Sequence, residues 1–166
     1  TRFLIEGVIQ AALLYTPQLR PGLMVEHVID EDLILVASFD VELKDLGPEY
    51  VFVDWGPEFT HMHATALPHL TNAGSALSLG GLVGDYIVNR RAAGYLPARS
   101  AQRYLDQGRL QVVADAPRFP YPAWVVWRED LEPELLSVAR RTLIDIAQAA
   151  ENEQHILIEK LMDDEG

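Results

Sequence analysis

Glu58, His61 and His63 fall within six residues of one another, a grouping of carboxylate and imidazole that suits zinc binding or proton transfer. Their spacing argues against a shared site. On a helix, His61 and His63 are rotated by about 200° and face different ways. A solvated helix surface is the plainer reading, and Asn72, Asp85 and the remaining histidines supply no second ligand set of recognisable spacing. Nucleophiles are equally scarce. There is no cysteine, no Gly-x-Ser-x-Gly elbow and no phosphate-cradling P-loop. Gly80-Gly81-Leu82-Val83-Gly84 has the glycines of a dinucleotide turn without its spacing, and no acid ends the following strand; close packing of a helix explains them better. Arg90-Arg91 is a minimal cationic pair near a helix end, where positive charge is stabilising anyway. No catalytic set emerges, so the chain is expected to be no enzyme and to use no metal or cofactor.

Aromatic residues are better placed. Trp55 and Phe59 flank the start of an expected helix, while Phe119 and Tyr121 lie in a proline-rich connector shortly before Trp124. Packing between lobes accounts best for Trp124. For the other four, packing and lining a ligand cleft are equally good readings. Two helix starts, at Gly56–Phe59 and Ser78–Gly81, would present free N–H groups that favour an anion. Asp54 and Glu58 at the same mouth oppose one.

The elements that must carry these residues alternate between strand and helix. Apolar runs at 8–15, 25–29, 33–39 and 50–53 read as buried strands. Asp54-Trp55-Gly56-Pro57-Glu58 reads as a strand-to-helix turn, with the helix running to about Leu67 before Pro68. Ser78 is a plausible N-cap for a helix through Asn89. A brief strand at 94–97, a helix at 98–107 and strands at 109–113 and 123–127 follow. Four acids and Pro133 open a last helix, whose buried face is expected at Leu135, Ala139, Leu143 and Ile146. Such alternation predicts an α/β chain with a largely parallel sheet. The connectors 16–22 and 115–122 bracket its middle, as though the chain leaves one lobe, builds a second and returns to the first.

Length and charge narrow the function classes. At roughly 150 residues per domain, 166 residues make one domain or two small lobes. Apolar residues make up 49% and charged residues 23%, an ordinary globular balance that argues against disorder or fibre. A net charge of -12 repels phosphate backbones and anionic membranes. Of that charge, -8 falls in residues 129–166, which hold 11 acids and 3 bases. No run approaches the roughly 18 apolar residues of a membrane span, the start lacks a secretory pattern, and the absence of cysteine suits a reducing cytoplasm.

In order along the chain, Ile9–Pro17, Asp32–Ser38, Gly94-Tyr95-Leu96-Pro97, Gly108-Arg109-Leu110 and Pro122–Asp130 resemble the effector-binding domain of LysR-type transcriptional regulators. Asp54–Phe59 is similar to the start of a second-lobe helix in one branch of that family. The resemblance spans roughly residues 3–147. It implies a two-lobed α/β fold similar to type 2 periplasmic binding proteins, with two crossover connections and a first lobe that is incomplete. It divides the chain into 1–18 with 122–150 as first lobe, 19–121 as second, and 151–166 as a helical extension or tail. A small-molecule effector would lie between the lobes, touching Thr16, Asp54, Trp55, Gly56, Phe59, Ser78, Leu79, Phe119 and Tyr121. The family also implies a cytoplasmic dimer or tetramer that contacts DNA only through an N-terminal winged helix-turn-helix, which this sequence lacks. The turn Arg91-Ala92-Ala93-Gly94 departs from the family's smaller glycine-rich one. The competing reading is a solute-binding module unrelated to transcription.

Overall fold

A computed structural model describes residues 1–71, 74–78 and 80–163, with backbone alone for 153–155 and 157–163. In chain order its elements are α1 (Arg2–Ile5), β1 (Ala11–Leu14), β2 (Leu23–Ile29), β3 (Asp32–Ala37), β4 (Tyr50–Val53), α2 (Pro57–Ala66), β5 (Ser75–Leu77), α3 (Val83–Val88), β6 (Ala93–Pro97), α4 (Ala98–Asp106), β7 (Gln111–Val112), β8 (Phe119–Pro120), β9 (Ala123–Arg128) and α5 (Pro133–Asp163). Its contacts divide the chain into two compact units, Thr1–Glu31 with Tyr121–Glu153, and Asp32–Pro120 with Gln154–Gly166.

The first unit is an antiparallel sheet in the order β1-β9-β2. Alternation along β9 decides what each face meets. Val125 and Trp127 pack under α5 against Leu136, Ala139 and Leu143, while Val126 faces the other way onto Leu4 and Leu23. At its middle, α5 packs Ala147 and Ala150 against Ile29 and Ala123. The expected helix face is therefore half right. Ala139 and Leu143 are inside, but Leu135 and Ile146 are exposed. α5 has apolar residues over a wide arc, and the sheet takes the row that includes its small alanines. It also continues as one helix through Asp163, without a second helix after Ala150.

The second unit is a mixed sheet in the order β5-β4-β6-β3-β7, with β8 also pairing to β3. Only β5-β4-β6 are parallel; β3 is antiparallel to each of its neighbours. This corrects the largely parallel expectation. Residues 33–37 are buried throughout because helices cover both sheet faces. Ile34, Val36, Val51 and Val53 face α3 and α4. Tyr50 and Tyr95 belong to the α2 side, where rings from Phe59, His63 and Phe119 meet them.

The boundary between units also differs from expectation. Residues 19–31, expected in the second lobe, belong to the first unit because β2 pairs with β9 from Leu23↔Arg128 to Ile29↔Ala123. The prolines of 16–22 connect β1 to β2 past β9; the passage between units lies at Glu31–Asp32 and again at Pro120–Tyr121.

Candidate functional site

Because β5, β4 and β6 are parallel, their C-terminal ends share one edge of the sheet, the edge at which α/β folds bind ligands. Three connections emerge there. β4 passes through Asp54-Trp55-Gly56 into α2, β5 passes through Ser78 into the 3-10 turn Gly80–Leu82 and α3, and β6 runs directly into α4 at Ala98. Asp54 N–H donates to the Leu77 carbonyl at 3.1 Å, holding the first two together. The Asp54 carboxylate accepts from Gly56 N–H at 3.0 Å, and Gly56 opens α2 at φ 113, a conformation suited to glycine.

Trp55 forms one wall of a cavity of about 280 Å³ inside this unit. Its indole N–H donates to the Tyr95 carbonyl at 2.9 Å, which fixes the ring. Gly80, Gly81 and Gly84 also line the cavity, with Leu96 and Pro97 of β6 and Arg99, Ser100, Arg103 and Tyr104 of α4. The Tyr104 hydroxyl donates to Asp85 Oδ1 at 2.6 Å and accepts from Arg103. Burial, and then the bond to Asp85, raises this phenol above its ordinary range, so it stays protonated at neutral pH. The lining thus offers arginine, hydroxyl and indole groups and no carboxylate, in a chain with an excess of acid. It can hold a small molecule that accepts hydrogen bonds or stacks on an aromatic ring.

The sequence assigned Trp55 to a cleft between lobes rather than to this cavity, and it did not single out the α4 side. Pro97-Ala98-Arg99-Ser100 was legible only as a helix start. The available signal was Arg99 and Arg103, four residues apart on one helix face and directly after a strand. Glycine packing is confirmed at Gly84, where an added Cβ would lie 2.7 Å from the Tyr104 ring, but not at Gly80 or Gly81, which have open space. Ser78 is exposed and does not cap α3, whose N-cap is Leu82. Leu79 lies outside the described residues.

Phe59 and Phe119 go elsewhere. They are 2% and 4% exposed and pack against each other at 5.4 Å between ring centroids, each also touching Tyr95. Of the two readings for these rings, the structure shows the packing one, with both committed to the core of the second unit. His63 joins the same cluster and is fully buried, not a solvated helix residue. Its Nε2 is 2.7 Å from the Tyr50 hydroxyl, and its Nδ1 has no hydrogen-bond partner among the described residues. Burial first, and His69 second, lowers its pKa below the ordinary imidazole value. His61 is exposed, and no group of three potential metal ligands occurs among the described residues.

The two remaining expected residues are in the first unit. Thr16 is exposed just beyond β1, and Tyr121 precedes β9 at the same end of that sheet. Tyr121 stacks on Tyr15 at 4.1 Å with an 8° interplanar angle. The structure therefore gathers Asp54, Trp55, Gly56 and Ser78 in one unit and Thr16 and Tyr121 in the other.

No known protein family's sequence pattern matches the chain, and no curated protein does. Solved structures match it well. The apo regulatory domain of HypT from Salmonella typhimurium aligns at a TM-score of 0.72 and 15% identity, over 89% of this chain and 77% of that one. The regulatory domain of MetR, a LysR family regulator from N. meningitidis, aligns at 0.63 and 13% over 89% and 74%. The chain has the LysR-type regulatory-domain fold. Full-length LysG from Corynebacterium glutamicum, solved with bound effector Arg, gives 0.63 and 18% over 88% of this chain but 53% of its own. The LysR-type fold thus covers nearly all of this sequence, while this sequence covers about half of a full-length regulator. No described helix is long and apolar enough to cross a membrane.

Proposed function

We propose that the chain is the ligand-sensing region of a LysR-type transcriptional regulator. The likeness to regulatory domains over 86–89% of its length carries this reading. HypT with a bromide ion and LysG with an Arg effector show that small ligands are bound by proteins of this fold. In this proposal the effector is held as in the family, between the lobes, with Thr16 and Tyr121 contributed by the first unit and Asp54, Trp55, Gly56 and Ser78 by the second. Effector binding favours one arrangement of the protein over another, and DNA-binding parts elsewhere in a cytoplasmic dimer or tetramer respond. The activity is binding, without catalysis.

A melting-temperature screen against amino acids, dicarboxylates, aromatic acids and halides tests the reading. A ligand that binds only the folded state stabilises it by about 2.7 kcal/mol at a hundred times its Kd. At least one of these classes is expected to raise the melting temperature saturably. A chain that none of them stabilises contradicts the proposal.

A further inference from the structure

Positive charge in this acidic chain gathers around the cavity of the second unit. Residues 80–118 contain six arginines and three aspartates, a net of +3 against -12 for the whole chain. That stretch supplies every described residue lining the 280 Å³ cavity except Trp55.

Gly84 decides where one of these charges sits. Without a side chain it lets the Tyr104 ring come so close to α3 that an added Cβ would lie 2.7 Å from Cε2. The ring is then pinned by the bond from its hydroxyl to Asp85 Oδ1, at 2.6 Å. Arg103 lies over that ring, its Cζ 4.4 Å from the centroid, and donates to the same hydroxyl. The guanidinium is thus held in place, which lowers the cost of ordering it around a ligand. Most of its N–H donors remain without a partner, and it has no ion pair among the described residues. Asp85, behind Tyr104, does not line the cavity. Ser100, three residues before Arg103 on the same face of α4, is exposed, and its hydroxyl has no hydrogen bond among the described residues.

Trp55, Leu96 and Pro97 give the rest of the lining an apolar character. At about 30 Å³ per water molecule, the volume corresponds to roughly nine waters, the size of a small organic molecule. A fixed guanidinium with spare donors beside an apolar surface matches a carboxylate on a compact apolar body. An ammonium group would find no acid in the lining. We propose that this cavity binds a small organic acid, its carboxylate on Arg103 and Ser100 and its apolar body against Trp55, Leu96 and Pro97. The site lies within the second unit and does not depend on the ligand-sensing reading.

Calorimetric titration of the 166-residue chain with phenylacetate, phenylacetamide and inorganic phosphate tests it. Phenylacetate should bind saturably with a Kd below about 1 mM, and the amide and phosphate at least about tenfold more weakly. Arg103→Gln removes the charge and should weaken phenylacetate at least about tenfold. Ser100→Glu puts an acid in the first turn of α4, where it suits the helix but repels a carboxylate, and should weaken phenylacetate equally. Both positions are exposed, so circular dichroism should report an intact fold. If Arg103→Gln fails to fold, Ser100→Glu carries the test alone. No saturable binding of phenylacetate, an amide or phosphate that binds as tightly, or an affinity for phenylacetate that survives either substitution overturns the proposal.

Discussion

His63 is the residue whose surroundings most constrain its chemistry. It is sealed among rings and bonded to the Tyr50 hydroxyl, and burial holds it neutral. Its folded pKa lies below the unfolded value of 6.5, so on acidification the unfolded chain takes up a proton first. This contribution to stability is fully present above pH 6.5 and is lost as the pH falls from there towards the folded pKa. Urea midpoints should drop between pH 7.5 and 5.5, and His63→Gln should flatten that drop; an equal slope in the variant would remove His63 as its source. Tyr50→Phe takes away the partner of a buried nitrogen and should cost about 1–3 kcal/mol, read from the same denaturation curves. Tyr50 lies in a strand that the sequence read as buried, but His63 was read as surface. A histidine two residues from another on an expected helix looks like surface, and only the rings of Phe59, Tyr95 and Phe119, brought from α2, β6 and β8, show why it is not. Phe59 and Phe119 pose the same question: a ring near a helix start or in a connector can line a site or fill a core, and local spacing does not distinguish these.

Among the elements, those with strong periodicity or clear punctuation were legible. α2 stops before Pro68, α4 starts directly after Pro97, and β3 and β9 lie where continuous apolar runs placed them. What sequence could not settle was pairing. The proline-rich 16–22 looked like a passage between lobes, yet β2 returns to β9 and the passage is the short Asp30-Glu31-Asp32, an acidic break that marks no topology by itself. The phase of α5 was ambiguous because leucine, valine, isoleucine and alanine occur over two adjacent rows, and only the sheet chooses between them. α3 depends on a contact of another kind. Gly84→Ala would place a methyl group 2.7 Å from Tyr104 Cε2, a ring held by its hydrogen bond to Asp85. Alanine's better helix propensity, worth up to about 1 kcal/mol, opposes overpacking of about 1–3 kcal/mol, so a net loss is expected. A fall in melting temperature checks this, and a rise would show that the ring yields freely.

For the whole molecule, charge and fold divide the labour. A net charge of -12 opposes the binding of a phosphate backbone, and the LysR-type fold it shares is that of regulatory domains. The 166-residue chain should therefore give no gel shift with promoter DNA at physiological salt; a specific, saturable shift would contradict the assignment of roles. Within the second unit, Trp55 is the contact the ligand-sensing proposal depends on most. The measurement that reaches it directly is a calorimetric titration with whichever metabolite most raises the melting temperature, comparing wild type with Trp55→Ala. Trp55 is half-buried and its ring forms a cavity wall, so the variant should stay folded. The account predicts saturable binding by the wild type, at least about tenfold weaker in Trp55→Ala. Equal affinity in the two proteins, with both folded, would contradict it.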